Sequence, residues 1–62
     1  MVAVFFKEKL DDQNEVKFYG ANRAFFEGDF LILTNGNADD IVPTKVGQFF
    51  AENILGFYVE ED

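Results

Sequence analysis

Residues 23–33 read RAFFEGDFLIL, and this stretch decides the fold that the sequence predicts. The dipeptide Gly-Asp at 28–29 lies between two apolar runs, a pattern typical of a tight hairpin whose two-residue turn begins with glycine. The run Phe-Leu-Ile-Leu that follows has no polar position, which predicts a central strand buried on both faces. Because neighbouring side chains of a strand point to opposite faces, we expect Phe26 in the core and Phe25 on the other face, beside Arg23.

Aromatic residues come in adjacent pairs at five places along the chain. In a strand, the two rings of a pair face opposite ways, so a single buried face cannot take both. With Val2, Val4 and Phe6 facing the core, and with Val16 and Phe18 continuing the same phase, the opposite face of the sheet carries aromatic and basic side chains together. The pairs lie at 5–6, 18–19, 25–26, 49–50 and 57–58.

The segment from 44 to 55 is where the spacing of apolar residues predicts a helix. At 100° per residue, five of its side chains fall in one arc of roughly 140°. A proline precedes the segment and a glycine follows it, as is typical of helices, although Gly47 disfavours a helix by about 1 kcal/mol. The five side chains are Val46, Phe49, Phe50, Asn53 and Ile54.

The rest of the chain reads as short strands separated by turn residues. We therefore predict a single α+β domain over residues 1–62, a small antiparallel sheet of four to five strands with one helix near 44–55 packed on one face. The alternative is a small all-β barrel in which 44–55 is a strand. The predicted strands span 2–9, 15–21, 23–27, 30–34 and 57–60.

The chain contains no Ser, Cys, His or Trp. This composition removes serine, thiol and imidazole catalysis together, and it removes disulfides and the usual zinc ligands. Asn35, Asn37 and Asp39 have the alternate spacing of calcium-loop ligands, but positions six and twelve of such a loop hold Asp40 and Val46 instead of Gly and Glu. We therefore expect no enzymatic activity, no cofactor and no metal site.

Size and hydropathy narrow the class of protein further. The chain has 62 residues, of which 48% are hydrophobic and 18% aromatic. A domain this small buries only about 60% of the surface that its unfolded chain exposes, so we expect a dense aromatic core and self-association to support the fold. No apolar run approaches the ~20 residues of a transmembrane helix, and the first residues lack the pattern of a signal peptide. These features predict a soluble cytoplasmic protein that does not bind membranes.

The aromatic and basic face predicts a non-catalytic protein-interaction module. An apolar patch on one sheet face is typical of an interface, and the small size favours a homo-oligomer, in the simplest case a homodimer. The alternative is that Lys and Arg stems lie over the rings and cover them. The residues expected to bind the partner are Phe5, Lys7, Lys9, Lys17, Tyr19, Arg23 and Phe25.

The net charge of −7 suggests a second hypothesis, although acidity also serves solubility alone. Carboxylates could imitate phosphates, as in a viral or mobile-element protein that inhibits a nucleic-acid enzyme. A third hypothesis is that single-stranded nucleic acid stacks on the aromatic face. Nucleic acid is the least favoured partner, because binding to phosphates depends on Lys and Arg. The residues assigned to the mimic are Asp39, Asp40, Glu60, Glu61 and Asp62.

Overall fold

The fold consists of strands and one short helical turn. The structure, a computed structural model, describes residues 1–37 and 41–60. In this part of the chain the strands form two antiparallel sheets of three, with the order β2-β1-β6 in the first sheet and β3-β4-β5 in the second sheet. The elements are β1 (Val2–Leu10), β2 (Gln13–Tyr19), β3 (Arg23–Glu27), β4 (Phe30–Asn35), β5 (Thr44–Phe50), a 3-10 turn (Ala51–Asn53) and β6 (Ile54–Val59).

The two sheets face each other, and the core lies between their central strands. From β1, Val2 and Val4 are fully buried, and from β4, Leu31 and Leu33 are fully buried as well. These side chains form one apolar cluster that also includes Ala21 and Ile54. The prediction of a central strand at 30–33 is confirmed, since β4 lies between β3 and β5 and also buries Ile32 on its outer face.

The predicted helix at 44–55 is wrong. The segment forms β5 up to Phe50, then a single 3-10 turn, and then β6 from Ile54. A short helix is marginal without tertiary support, and Gly47 weakens it further. Pairing with β4 offers more burial, because Phe49 comes opposite Leu31 on the core side. The all-β alternative therefore gives the right class, although the strands form two separate sheets.

Both hairpin turns have the backbone that two-residue turns require. In the turn between β3 and β4, Gly28 has a φ of +59°, and the pair Glu27–Phe30 closes the ladder on either side. A positive φ at the first central residue alone is typical of a type II′ turn, which confirms the hairpin at 28–29. In the turn between β1 and β2, Asp11 and Asp12 both have positive φ, 52° and 66°. This is the pattern of a type I′ turn, which is normally built from Asn and Gly.

Aromatic contacts join the sheets along both of their open sides. On one side, the ring of Phe26 from β3 packs against Phe57 from β6, with ring centroids 5.7 Å apart. On the other side, Phe49 from β5 contacts Tyr19 from β2 at 5.2 Å and Phe6 from β1 at 5.6 Å. The strand backbones approach each other closely on the β3–β6 side, and a cleft lies between β2 and β5 on the other side.

Candidate functional site

The orientation of β2 differs from the sequence prediction, and this changes the composition of both faces of the first sheet. Val2 pairs with Tyr19 and Val4 pairs with Lys17. Paired residues of neighbouring strands point to the same side, so Tyr19 and Lys17 lie on the core side. Val16 and Phe18, which we expected in the core, face outward. Both faces of β2 are part apolar, so its own alternation could not fix the phase.

An irregularity in β1 displaces this register by two residues, an even number that leaves the same β2 side chains on the core side. Between Phe5 and Lys9, β1 has three residues opposite the single Glu15 of β2. The side-chain amide of Asn14 donates hydrogen bonds to the carbonyl oxygens of Phe6 and Lys7, both at 3.2 Å. These bonds satisfy backbone groups that the bulge removes from the ladder.

The predicted partner-binding residues lie in several places instead of on one face. Phe5 lies on the outer side of the first sheet, whereas Lys17 and Tyr19 line the cleft. Lys7 and Lys9 are exposed along the arm of the β1–β2 hairpin. Arg23 and Phe25 lie on the outer side of the second sheet, with the guanidinium carbon of Arg23 5.6 Å from the centroid of the Phe25 ring. This last pair confirms that Phe25 faces away from the core beside Arg23.

The outer side of the first sheet carries an uncharged apolar surface, which we call the outer apolar face. At its centre, Ala3 pairs with Phe18 on one side and with Tyr58 on the other, and Phe5 pairs with Val16. The rings of Phe5 and Tyr58 are 6.0 Å apart. Although it points outward, Ala3 is only 1% exposed, because the larger side chains around it cover it. The outer apolar face consists of Ala3, Phe5, Val16, Phe18 and Tyr58.

The cleft has a volume of about 660 Å³ and lies between the edges of β2 and β5. Its aromatic floor is the three-ring cluster of Phe6, Tyr19 and Phe49. The sequence did not reveal Phe49 and Phe50 as site residues, because the helix prediction placed them in the core; their adjacency as an aromatic pair was the available signal. The remaining lining residues are Glu8, Glu15, Lys17, Phe30, Gln48, Phe50 and Asn53.

Charged groups surround the cleft, and the acids outnumber the bases. The ammonium of Lys17 lies 3.4 Å from a carboxylate oxygen of Glu15 and 6.0 Å from the centroid of the Phe6 ring. Lys45 donates a hydrogen bond to the side-chain oxygen of Gln48 at 2.6 Å. A smaller hollow of about 290 Å³ shares Phe50 with the cleft and is lined by two more acids, Asp29 and Glu52.

Most of the acidic residues assigned to nucleic-acid mimicry fall outside the residues that the structure describes. Asp39, Asp40, Glu61 and Asp62 fall outside the described residues. Glu60 is exposed, and its backbone N–H donates to the carbonyl oxygen of Met1 at 2.8 Å. The arrangement of the predicted mimic surface therefore stays a prediction.

Residues 1–37 and 41–60 contain neither a cluster of metal ligands nor a membrane-spanning helix. No group of three or more His, Cys, Asp or Glu side chains there is placed to hold a metal ion. Within the same ranges, no helix has the length and apolarity to cross a membrane. The chain has no significant match to a protein family, to a curated protein or to a solved structure.

Proposed function

We propose that the chain is a non-catalytic protein-interaction module that self-associates through the outer apolar face. The observation that carries this proposal is the exposure of two aromatic side chains side by side with no charged residue between them. Phe18 is 56% exposed and Tyr58 is 47% exposed, and both flank the same residue of β1, Ala3. A second copy placing the same face on this one would remove these rings from water.

The geometry of a three-stranded sheet suits such a contact. Two sheets pack face to face when each presents apolar side chains on the facing side, and the first sheet has an apolar inner side and an apolar outer side. A contact between identical faces is closed by a two-fold axis, so the expected product is a dimer and not a filament.

The expected affinity is low. A whole aromatic side chain has a surface of about 200 Å². Because Phe18 and Tyr58 are each about half exposed, together they expose about 200 Å². Even with Phe5 and Val16 included, two such faces bury less than the ~1,200 Å² that stable interfaces begin with. A transient dimer, which forms only at high concentration, is the form of self-association that this surface supports.

Sedimentation velocity over a concentration series from about 10 µM to about 1 mM tests the proposal, because a transient interface has a dissociation constant in or above this range. The informative variant is Phe18→Thr, which removes the ring and keeps a residue that favours strands. Phe50→Thr is the matched control, since Phe50 is also an exposed strand phenylalanine, 54% against 56%, but lies in the cleft.

We expect the weight-average sedimentation coefficient of the parent and of Phe50→Thr to rise with concentration, and that of Phe18→Thr to stay at the monomer value. Circular dichroism and urea unfolding of each variant show whether the fold is retained. A parent chain that stays monomeric throughout, or a Phe18→Thr variant that associates like the parent, would overturn the proposal.

A further inference from the structure

We propose that the cleft between β2 and β5 binds an extended segment of a partner protein that carries arginine or lysine side chains. The cleft lies on the side of the first sheet opposite to the outer apolar face, so this proposal does not depend on self-association. Three independent properties of the cleft select this occupant: its strand edges, its rings and its charge.

The strand edges select an extended backbone. Among the strands of residues 1–37 and 41–60, β2 has one hydrogen-bonded neighbour, β1, and β5 has one, β4. The other edge of each strand borders the cleft and carries backbone N–H and C=O groups that no strand of the described residues pairs, and such an edge can pair with an added strand. The opposite side of the sandwich offers less access, because there the backbones of β3 and β6 approach each other and Phe26 packs on Phe57.

The rings select a cation that has an apolar stem. Aromatic faces attract ammonium and guanidinium groups within about 6 Å of the ring centroid. The cleft already holds one such group of this chain, because the ammonium of Lys17 lies 6.0 Å from the centroid of Phe6. Phe30 and Phe50 line the outer rim of the cleft, because strand alternation turns their rings away from the core side that Leu31 and Phe49 share. Their centroids are 5.0 Å apart and Phe50 is 54% exposed, so the two rings can receive a second cation at this rim.

The charge selects a basic segment over an acidic one. Glu8 and Glu15 line the cleft, and Asp29 and Glu52 line the adjoining hollow. Two ammonium groups lie near these four carboxylates. That of Lys17 is already paired with Glu15, and that of Lys45 is hydrogen-bonded to Gln48. The whole chain carries a net charge of −7, which attracts a cationic partner over a longer range and repels an anionic one.

A titration followed by nuclear magnetic resonance tests this assignment on the full, isotopically labelled chain. The probe is a blocked peptide of the length of β2, seven residues, in which arginine alternates with valine. The same peptide with glutamate in place of arginine is the charge control, and oligothymidine tests the competing idea that nucleic-acid bases stack on the rings. We expect the arginine peptide alone to shift amide signals, and those signals to belong to β2, β5 and the 3-10 turn.

Paired variants separate the cleft from the general charge of the chain. Glu8→Gln with Glu52→Gln removes two carboxylates at the site, whereas Asp11→Asn with Glu60→Gln removes the same charge elsewhere on the surface. Two exposed ion pairs are worth about fivefold in the dissociation constant. We expect this loss for the first pair, and a smaller loss for the second.

The aromatic variants give a second comparison. Phe50→Thr should weaken peptide binding, and Phe18→Thr should leave it unchanged, which is the reverse of their expected effects on self-association. The proposal is overturned if the arginine peptide leaves β2 and β5 unshifted, or if the glutamate peptide or oligothymidine shifts the same signals. It is also overturned if both double variants lose the same affinity, since the attraction would then be unspecific.

Discussion

Replacing Asp12 by glycine should stabilise the protein, because of the backbone at the tip of the β1–β2 hairpin. Asp12 has a φ of 66°, in the left-handed region. This region costs an ordinary residue roughly 1–2 kcal/mol and Asp somewhat less, whereas glycine adopts it freely. Relief of this strain stabilises the folded state by about 1 kcal/mol, and the greater freedom of glycine in the unfolded chain reduces the stability by about 0.5 kcal/mol. The net expectation is a gain of about 0.5 kcal/mol.

Asp29→Gly is the matched control for this prediction. Asp29 is an exposed aspartate at the second central position of the other two-residue turn, but only Gly28 has positive φ there. The two substitutions remove the same charge and add the same glycine. Asp29→Gly has no left-handed backbone to relieve, so it should lower the free energy of unfolding by about 0.5 kcal/mol.

Urea and thermal unfolding followed by circular dichroism measure the difference. For a domain of this size, 0.5 kcal/mol corresponds to a change in Tm of roughly 2–4 °C, upward for Asp12→Gly and downward for Asp29→Gly. The reasoning is refuted if Asp12→Gly is no more stable than the parent, or if both variants shift Tm equally in one direction. In the latter case the lost negative charge would explain the effect.

Two further substitutions test how the cleft is built. In Gly47→Ala, the added Cβ would lie 3.1 Å from two carbons of the Phe49 ring, closer than carbon atoms pack. We expect the free energy of unfolding to fall by about 1–3 kcal/mol and the near-ultraviolet circular dichroism of Tyr19, recorded in a Tyr58→Phe background, to change. Unchanged stability and an unchanged spectrum would contradict this packing. In Asn14→Ala, the two hydrogen bonds to the bulge carbonyls disappear, and urea unfolding should show a loss of about 1 kcal/mol. Gln13→Ala, a change of the neighbouring exposed amide, should stay within about 0.5 kcal/mol of the parent, and an equal loss in both variants would show that the bulge bonds are not responsible.

The places where sequence reasoning failed share a physical cause. Along β2, Val16 and Phe18 alternate with Lys17 and Tyr19, and either set can face a core. The pairing with β1 decides between them, because Leu10 lies opposite Gln13 across the two-residue turn and Val4 lies opposite Lys17, which turns Lys17 and Tyr19 to the core side. No pattern within β2 itself reports this pairing. In 44–55, the apolar residues fit a helical arc, but their pairing with β4 buries Phe49 in a way that only the neighbouring strand makes available.

Local chemistry alone determined the turns and the central strand of this protein. Gly28 can adopt the left-handed backbone that its hairpin requires, and the unbroken run Phe-Leu-Ile-Leu requires burial on both faces, so RAFFEGDFLIL folds into the predicted hairpin and central strand. The expectation that Phe26 lies in the core was wrong: Phe26 is on the core side at the edge strand β3 but is 56% exposed. Tertiary structure decided the rest, namely the register of β2, the strand at 44–50 and the contents of the cleft. These three features depend on contacts between strands that are distant in sequence. The free energy gained by burying apolar side chains in those contacts outweighs the weak local preferences of each segment.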